Sequence, residues 1–253
     1  MTTSTGTYAQ VNGLNMYYEV HGAGRPIVLL HGGLLTIDLS FAALIPALAA
    51  TRQVIAVELQ GHGRTADIER AITFENLSDD VVALLDQLGT ARTDLFGFSL
   101  GGLTATQTAI RHPDRVDRLV AASVHFRPDG YHPEIRNPAL HAGSTRMPTA
   151  ADFAEMQRAY ARIAPDPGHF GAFMAKTSGV AMAFEGWSDD ALGAITAPTL
   201  VLVGDHDFVR LEHAGQMREL IPGAQLAVLP DCTHMAVTQR VAELIPMLDR
   251  FLA

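Results

Sequence analysis

The chain has 253 residues, of which 48% are hydrophobic and 18% charged, enough for one large core or a core with a smaller subdomain. Its formal net charge is −9, no Lys/Arg cluster occurs and Lys176 is the only lysine, so neither nucleic acid nor a polyanionic substrate is the expected partner. No apolar run approaches the roughly 20 residues of a membrane span, Met1–Thr5 carries no basic, apolar leader, and the lone Cys232 forms no internal disulfide. The expectation is a cytoplasmic protein that handles a small molecule, with no membrane partner and no legible oligomeric state.

In chain order, the first signal is a hairpin. Tyr8–Val11 and Asn15–Val20 flank Asn12-Gly13, a dipeptide suited to the positive φ angles of a tight turn. Short apolar runs without polar alternation then recur at Pro26–Leu30, Gln53–Val57, Thr93–Phe96, Arg118–Ser123, Thr199–Val203 and Gln225–Leu229. Helix-like segments separate them, such as the stripe Leu77, Val81, Leu84, Leu85, Leu88 stopped by Gly89. This alternation predicts an α/β fold whose strands are buried on both faces of a mostly parallel sheet, bordered by an antiparallel pair.

One stretch breaks the rhythm. From His125 to about Asp190 no strand pattern appears, while Phe126, Tyr131, Met147, Phe153, Met156, Phe173, Met182 and Trp187 accumulate. A structureless loop of that length is improbable in a compact domain, so residues 125–190 are expected to form a helical cap between core segments 1–124 and 191–253. Most of its aromatics are expected only to pack the cap, with a few lining a pocket beneath it.

The segment Gly97-Phe98-Ser99-Leu100-Gly101-Gly102 follows the third run and precedes a helix expected over Leu100–Arg111. This context is that of a nucleophile elbow, where a strained turn pushes the serine out and the helix N-terminus offers free N–H groups above it. A serine hydroxyl needs a base, and the base needs a partner that fixes its tautomer. His234 follows the last strand run and is the candidate base. Among the ten other histidines, His31 and His62 sit in glycine-rich turns that they shape, His112 ends a helix, and His125, His132, His141 and His169 are expected at the surface of the cap. After Thr199–Val203 come Asp205 and Asp207; Asp207 is the candidate acid and Asp205 is expected to shape the loop. No companion ligand set supports a metal at this pair, and no cofactor is expected.

The order Ser99, Asp207, His234, together with His31-Gly32-Gly33, Gly61-His62-Gly63 and Gly204-Asp205-His206-Asp207, resembles the α/β-hydrolase family, close to its lidded, esterase-like members. The resemblance implies an eight-stranded sheet with helices on both faces, and backbone N–H groups of Gly33 and Leu100 as an oxyanion hole. Arg64 stands where the family often has serine, so nothing catalytic is rested on that turn. The implied activity is hydrolysis of carboxylic esters of small, largely apolar substrates through an acyl-enzyme. A lactonase, a carbon–carbon bond hydrolase, a cofactor-free perhydrolase and a slow-turnover ligand receptor remain open alternatives on the same residues.

Overall fold

The structure is a computed structural model that describes residues 6–253; Met1–Thr5, read above as lacking a leader, lies outside the described residues. Eight strands form one sheet: β1 (Thr7–Val11), β2 (Leu14–His21), β3 (Pro26–Leu30), β4 (Gln53–Val57), β5 (Thr93–Phe98), β6 (Val116–Ala122), β7 (Thr199–His206) and β8 (Gln225–Thr233). Their order is β1-β2-β4-β3-β5-β6-β7-β8. The pairs β1/β2 and β2/β4 are antiparallel and all others parallel. The expected hairpin closes on Asn12 (φ 47°) and Gly13 (φ 86°), the left-handed pair that matches strand twist.

The helices are α1 (Ile37–Phe41), α2 (Leu44–Leu48), α3 (Phe74–Gln87), α4 (Leu100–Arg111), α5 (Pro133–Arg136), α6 (Ala150–Ile163), α7 (Phe170–Ala183), α8 (Asp189–Gly193), α9 (Leu211–Leu220) and α10 (Val241–Phe251). Thr73 caps α3 by accepting from Asn76 N–H, and Thr149 with Asp152 forms a capping box on α6. The two faces of the sheet carry separate apolar layers. Leu77, Val81, Leu84 and Leu103 pack with Val28, Leu30 and Leu95 on one face, and Phe41, Leu44, Leu244 and Leu248 pack with Leu29, Phe96 and Leu202 on the other. Burial on both sides explains why the central runs read as continuously hydrophobic.

The stretch between β6 and β7 is helical, with α5 to α8 and no strand element. Its aromatics divide as a packing argument predicts. Phe126, Tyr131 and Trp187 join the layer with Leu95 and Leu103, while Tyr160, Phe170 and Phe173 join the layer with Phe41. His125 departs from its expected surface place: it is fully buried, its ring 3.9 Å from that of Tyr131. Burial pushes its pKa down to about 3, with His213 and Arg136 adding to the effect, so it sits in the core as a neutral ring. Among the described residues, no helix is long and apolar enough to cross a membrane.

Candidate active site

Four strands end at one place. β5 delivers Ser99, β7 delivers Asp207, β8 delivers His234, and β3 leads into His31-Gly32-Gly33. Loops at the carboxyl ends of parallel strands are where such sheets leave room for a site.

The elbow is built by close backbone approach. A Cβ on Gly97 would lie 2.1 Å from the Gly101 carbonyl oxygen, and one on Gly101 would lie 2.1 Å from that of Leu30. No side chain fits at either position, which lets β5 turn sharply into α4. Ser99 absorbs the bend at φ 53°, ψ −116°, in a region an L-residue rarely occupies, while its N–H donates to the Ala122 carbonyl at 2.8 Å. The neighbouring glycine turns are pinned by two buried histidines. His31 Nε2 accepts from Leu59 N–H at 3.1 Å, and His62 Nε2 accepts from Leu34 N–H at 3.2 Å. Burial lowers the pKa of His31 to about 4 and that of His62 well below its ordinary value, so both stay neutral and able to accept. The same loop is tied to the first turn of α4 by Gly101 N–H, which donates to the His31 carbonyl at 3.0 Å.

His234 Nδ1–H donates to Asp207 Oδ1 at 2.6 Å, and Ser99 Oγ–H donates to His234 Nε2 at 3.0 Å. Asp207 is fully buried, and His234 is 3% exposed. Burial alone would raise the Asp207 pKa. The adjacent His234, the Ser123 hydroxyl and the Gly204 N–H outweigh it and hold the carboxyl below its ordinary value, so it stays an anion. Its Oδ1 also accepts from Phe208 N–H at 2.6 Å. Asp205 lies outside this network; its carboxylate accepts from Asp231 and Cys232 N–H, both at 2.9 Å, and shapes the β7–β8 junction as expected.

A cavity of about 210 Å³ opens onto Ser99 and His234. Gly33, Leu100, Tyr131, Met147, Phe153, Met156 and Met182 are among the residues that line it. Among the described residues, no Lys, Arg, Asp or Glu side chain lines it. Among the described residues, no group of three or more His, Cys, Asp or Glu side chains is placed to hold a metal ion.

A family model described as the alpha/beta hydrolase fold matches residues 25–176. The chain belongs to the alpha/beta hydrolase fold family. Over 259 residues it is 31% identical to the 2-hydroxymuconate semialdehyde hydrolase of Pseudomonas sp. strain CF600, covering 92% of this chain and 88% of that protein. Over 148 residues it is 33% identical to a Caulobacter vibrioides protein provisionally named carbamate hydrolase RutD, covering 57% of this chain and 54% of the relative. That match therefore spans about half of the relative's length. A thermophilic esterase from Thermogutta terrifontis superposes with a TM-score of 0.77 at 26% identity, covering 99% of this chain and 98% of the other.

Within this alpha/beta hydrolase, three contributors to the site were not singled out from the sequence. Ser123, just past β6 with φ 57°, donates its hydroxyl to Asp207 Oδ2 at 2.5 Å. Phe208 stacks on the His234 ring at 3.7 Å with a 5° interplanar angle. Thr177 on α7 lines the cavity beside Gly33. Neither Ser123 nor Phe208 belongs to a motif, and only the signal that Phe208 adjoins Asp207 was available. Arg64, the departure from the family pattern, serves the turn itself: its guanidinium donates to the buried Glu58 at 2.8 Å and covers the Tyr17 ring at 4.4 Å.

Proposed function

We propose that the protein is a serine hydrolase that cleaves carboxylic esters of small, largely apolar substrates through an acyl-enzyme. The observation that carries this reading is the hydrogen-bonded series Ser99, His234, Asp207 opening onto an uncharged, apolar cavity. His234 Nε2 takes the Ser99 proton as Oγ attacks the ester carbonyl, and Asp207 holds the Nδ1–H tautomer and stabilises the imidazolium. The N–H groups of Gly33 and Leu100 receive the negative charge that develops on the carbonyl oxygen, one such donor being worth roughly 3 kcal/mol. His234 then protonates the departing alcohol, and water activated by the same imidazole releases the acid. Residues 125–190 act as a lid in this scheme, with Met147, Phe153, Met156 and Met182 supplying the apolar wall that selects the substrate.

A second reading, a carbon–carbon bond hydrolase, is favoured by the relative matched over 92% of the chain. That relative's named substrate is a carboxylate, and among the described residues no lysine or arginine lines the cavity to pair with one. The test is release of product from a short-chain aryl ester by the wild type and by Ser99→Ala, run beside lactones and a carbon–carbon substrate. Fast ester turnover that Ser99→Ala abolishes is expected. Undiminished turnover in that variant removes the assignment, and tight ligand binding without turnover points to a receptor.

A further inference from the structure

Three threonines in α4 show how a buried threonine hydroxyl is ordinarily satisfied inside a helix. Thr104, Thr106 and Thr108 each donate to the carbonyl four residues earlier, at 2.9, 2.8 and 2.8 Å. Thr177 in α7 does otherwise. It is 4% exposed, and its Oγ1 has no hydrogen-bond partner among the described residues. A buried hydroxyl left unpaired is costly, so such a group calls for a partner that arrives from elsewhere.

The surroundings say which partner. Thr177 lines the same cavity as Ser99, Gly33 and Leu100. Its Cγ2 lies 3.6 Å from the point where a Cβ on Gly33 would stand, and Leu100 Cβ lies 3.7 Å from that same point. Thr177 therefore meets the two residues whose N–H groups are assigned to the oxyanion. One staggered turn about χ1 carries Oγ1 into the place now held by Cγ2, and Cγ2 into that of the hydrogen, so the hydroxyl comes to the side facing Gly33. The neighbouring residue fixes the helix at that height. Lys176 Nζ donates to both carboxylate oxygens of Asp67, at 2.7 and 2.8 Å, and to the Ile68 carbonyl at 2.9 Å.

We propose that the Thr177 hydroxyl donates a third hydrogen bond to the substrate carbonyl oxygen as it becomes an oxyanion, completing from α7 a hole whose other two donors lie in the core. This rests on the ester-hydrolase reading of Ser99. The hydroxyl keeps its proton throughout, and the bond strengthens as charge builds on the oxygen, so the contribution falls on kcat more than on KM. It also makes α7 part of the reacting site, beyond its role as a wall.

The experiment compares Thr177→Val, which keeps shape and loses the hydroxyl, with Thr177→Ser, which keeps the hydroxyl. Steady-state kinetics on a short-chain aryl ester are read beside Ser99 labelling by a fluorophosphonate and thermal melting of each variant. The expected result is a kcat lowered about tenfold to a hundredfold in Thr177→Val with KM nearly unchanged, and Thr177→Ser within about threefold of wild type. Thr177→Val within twofold of wild type overturns the proposal, as does an equal loss in Thr177→Ser, which would assign the effect to packing. Should Thr177→Val melt early, the Thr177→Ser comparison with Thr177→Ala decides in the same way. Ester turnover that survives Ser99→Ala would instead overturn the parent reading, a result separable from either outcome at Thr177.

Discussion

Replacing Ser123 by alanine removes the one side-chain donor, among the described residues, to the Asp207 carboxylate other than His234. In the wild type Oδ2 of this fully buried carboxylate accepts from Ser123 Oγ at 2.5 Å and from Gly204 N–H at 3.3 Å. Without the hydroxyl, Oδ2 keeps only the longer contact. A hydrogen bond to a buried charged group is worth about 1.5–3 kcal/mol, so the anion becomes less favourable by an amount of that order. The carboxyl pKa therefore moves up from its wild-type position. The wild-type carboxyl lies below its ordinary value, so this group contributes stability above the unfolded carboxylate pKa and loses it as pH falls through the folded one. In Ser123→Ala the contribution at neutral pH is smaller, and its loss is complete at a higher pH. A weaker anion also stabilises the His234 imidazolium less, which lowers kcat by about tenfold or more.

Backbone strain separates the two effects. Ser123 stands at φ 57°, where glycine is at ease and alanine is not. Ser123→Gly should therefore lose activity as Ser123→Ala does, yet be more stable than it by about 1 kcal/mol. The assays are kcat/KM on an aryl ester across the pH range and urea unfolding at neutral and acidic pH. Should Ser123→Ala turn over within twofold of wild type with the same acid limb, the hydroxyl is not what sustains the Asp207 anion.

The position of α7 is expected to depend on Lys176. Lys176→Met leaves Asp67 with Gln60 Nε2 at 2.8 Å and the more distant His169 at 3.4 Å, so kcat/KM should fall about threefold to tenfold while the melting temperature moves by only a few degrees, because a partly exposed ion pair contributes about 1 kcal/mol or less. Unchanged ester kinetics would show that α7 is held by packing alone. Glu58 is fully buried, and burial pushes its carboxyl up to about 7 despite the opposing Arg64 N–H and guanidinium. The folded chain then binds this proton more tightly than the unfolded one, so the contribution to stability declines as pH rises from about 4.5 to about 7. Glu58→Gln should gain on the wild type as pH is raised through that window, and urea unfolding at its two ends is the check; a pH-independent difference between the two proteins would refute it.

Local order in the chain settled the frame. The apolar runs at Pro26–Leu30 and Gln53–Val57 name their strands because burial on both faces leaves no polar alternation to mislead; Gln225–Leu229 reads alike, yet it lies on the edge strand β8 with Leu226 and Val228 exposed. Asn12-Gly13 names its turn, and the glycines at 97, 101 and 102 name the elbow, because backbone approach within van der Waals distance admits no Cβ. Ser99, Asp207 and His234 were legible for a related reason: each directly follows a strand, so one-dimensional order already places them at the carboxyl ends of parallel strands. What tertiary structure alone decided are contacts between segments far apart in the chain. Ser123 reaches Asp207 across 84 residues, and Lys176 reaches Asp67 across 109. His125, expected at the surface, is buried because the helical segment folds its aromatics over it. No local pattern encodes such pairings; they follow from how α7 and the strand ends are packed together, and packing is a property of the assembled core.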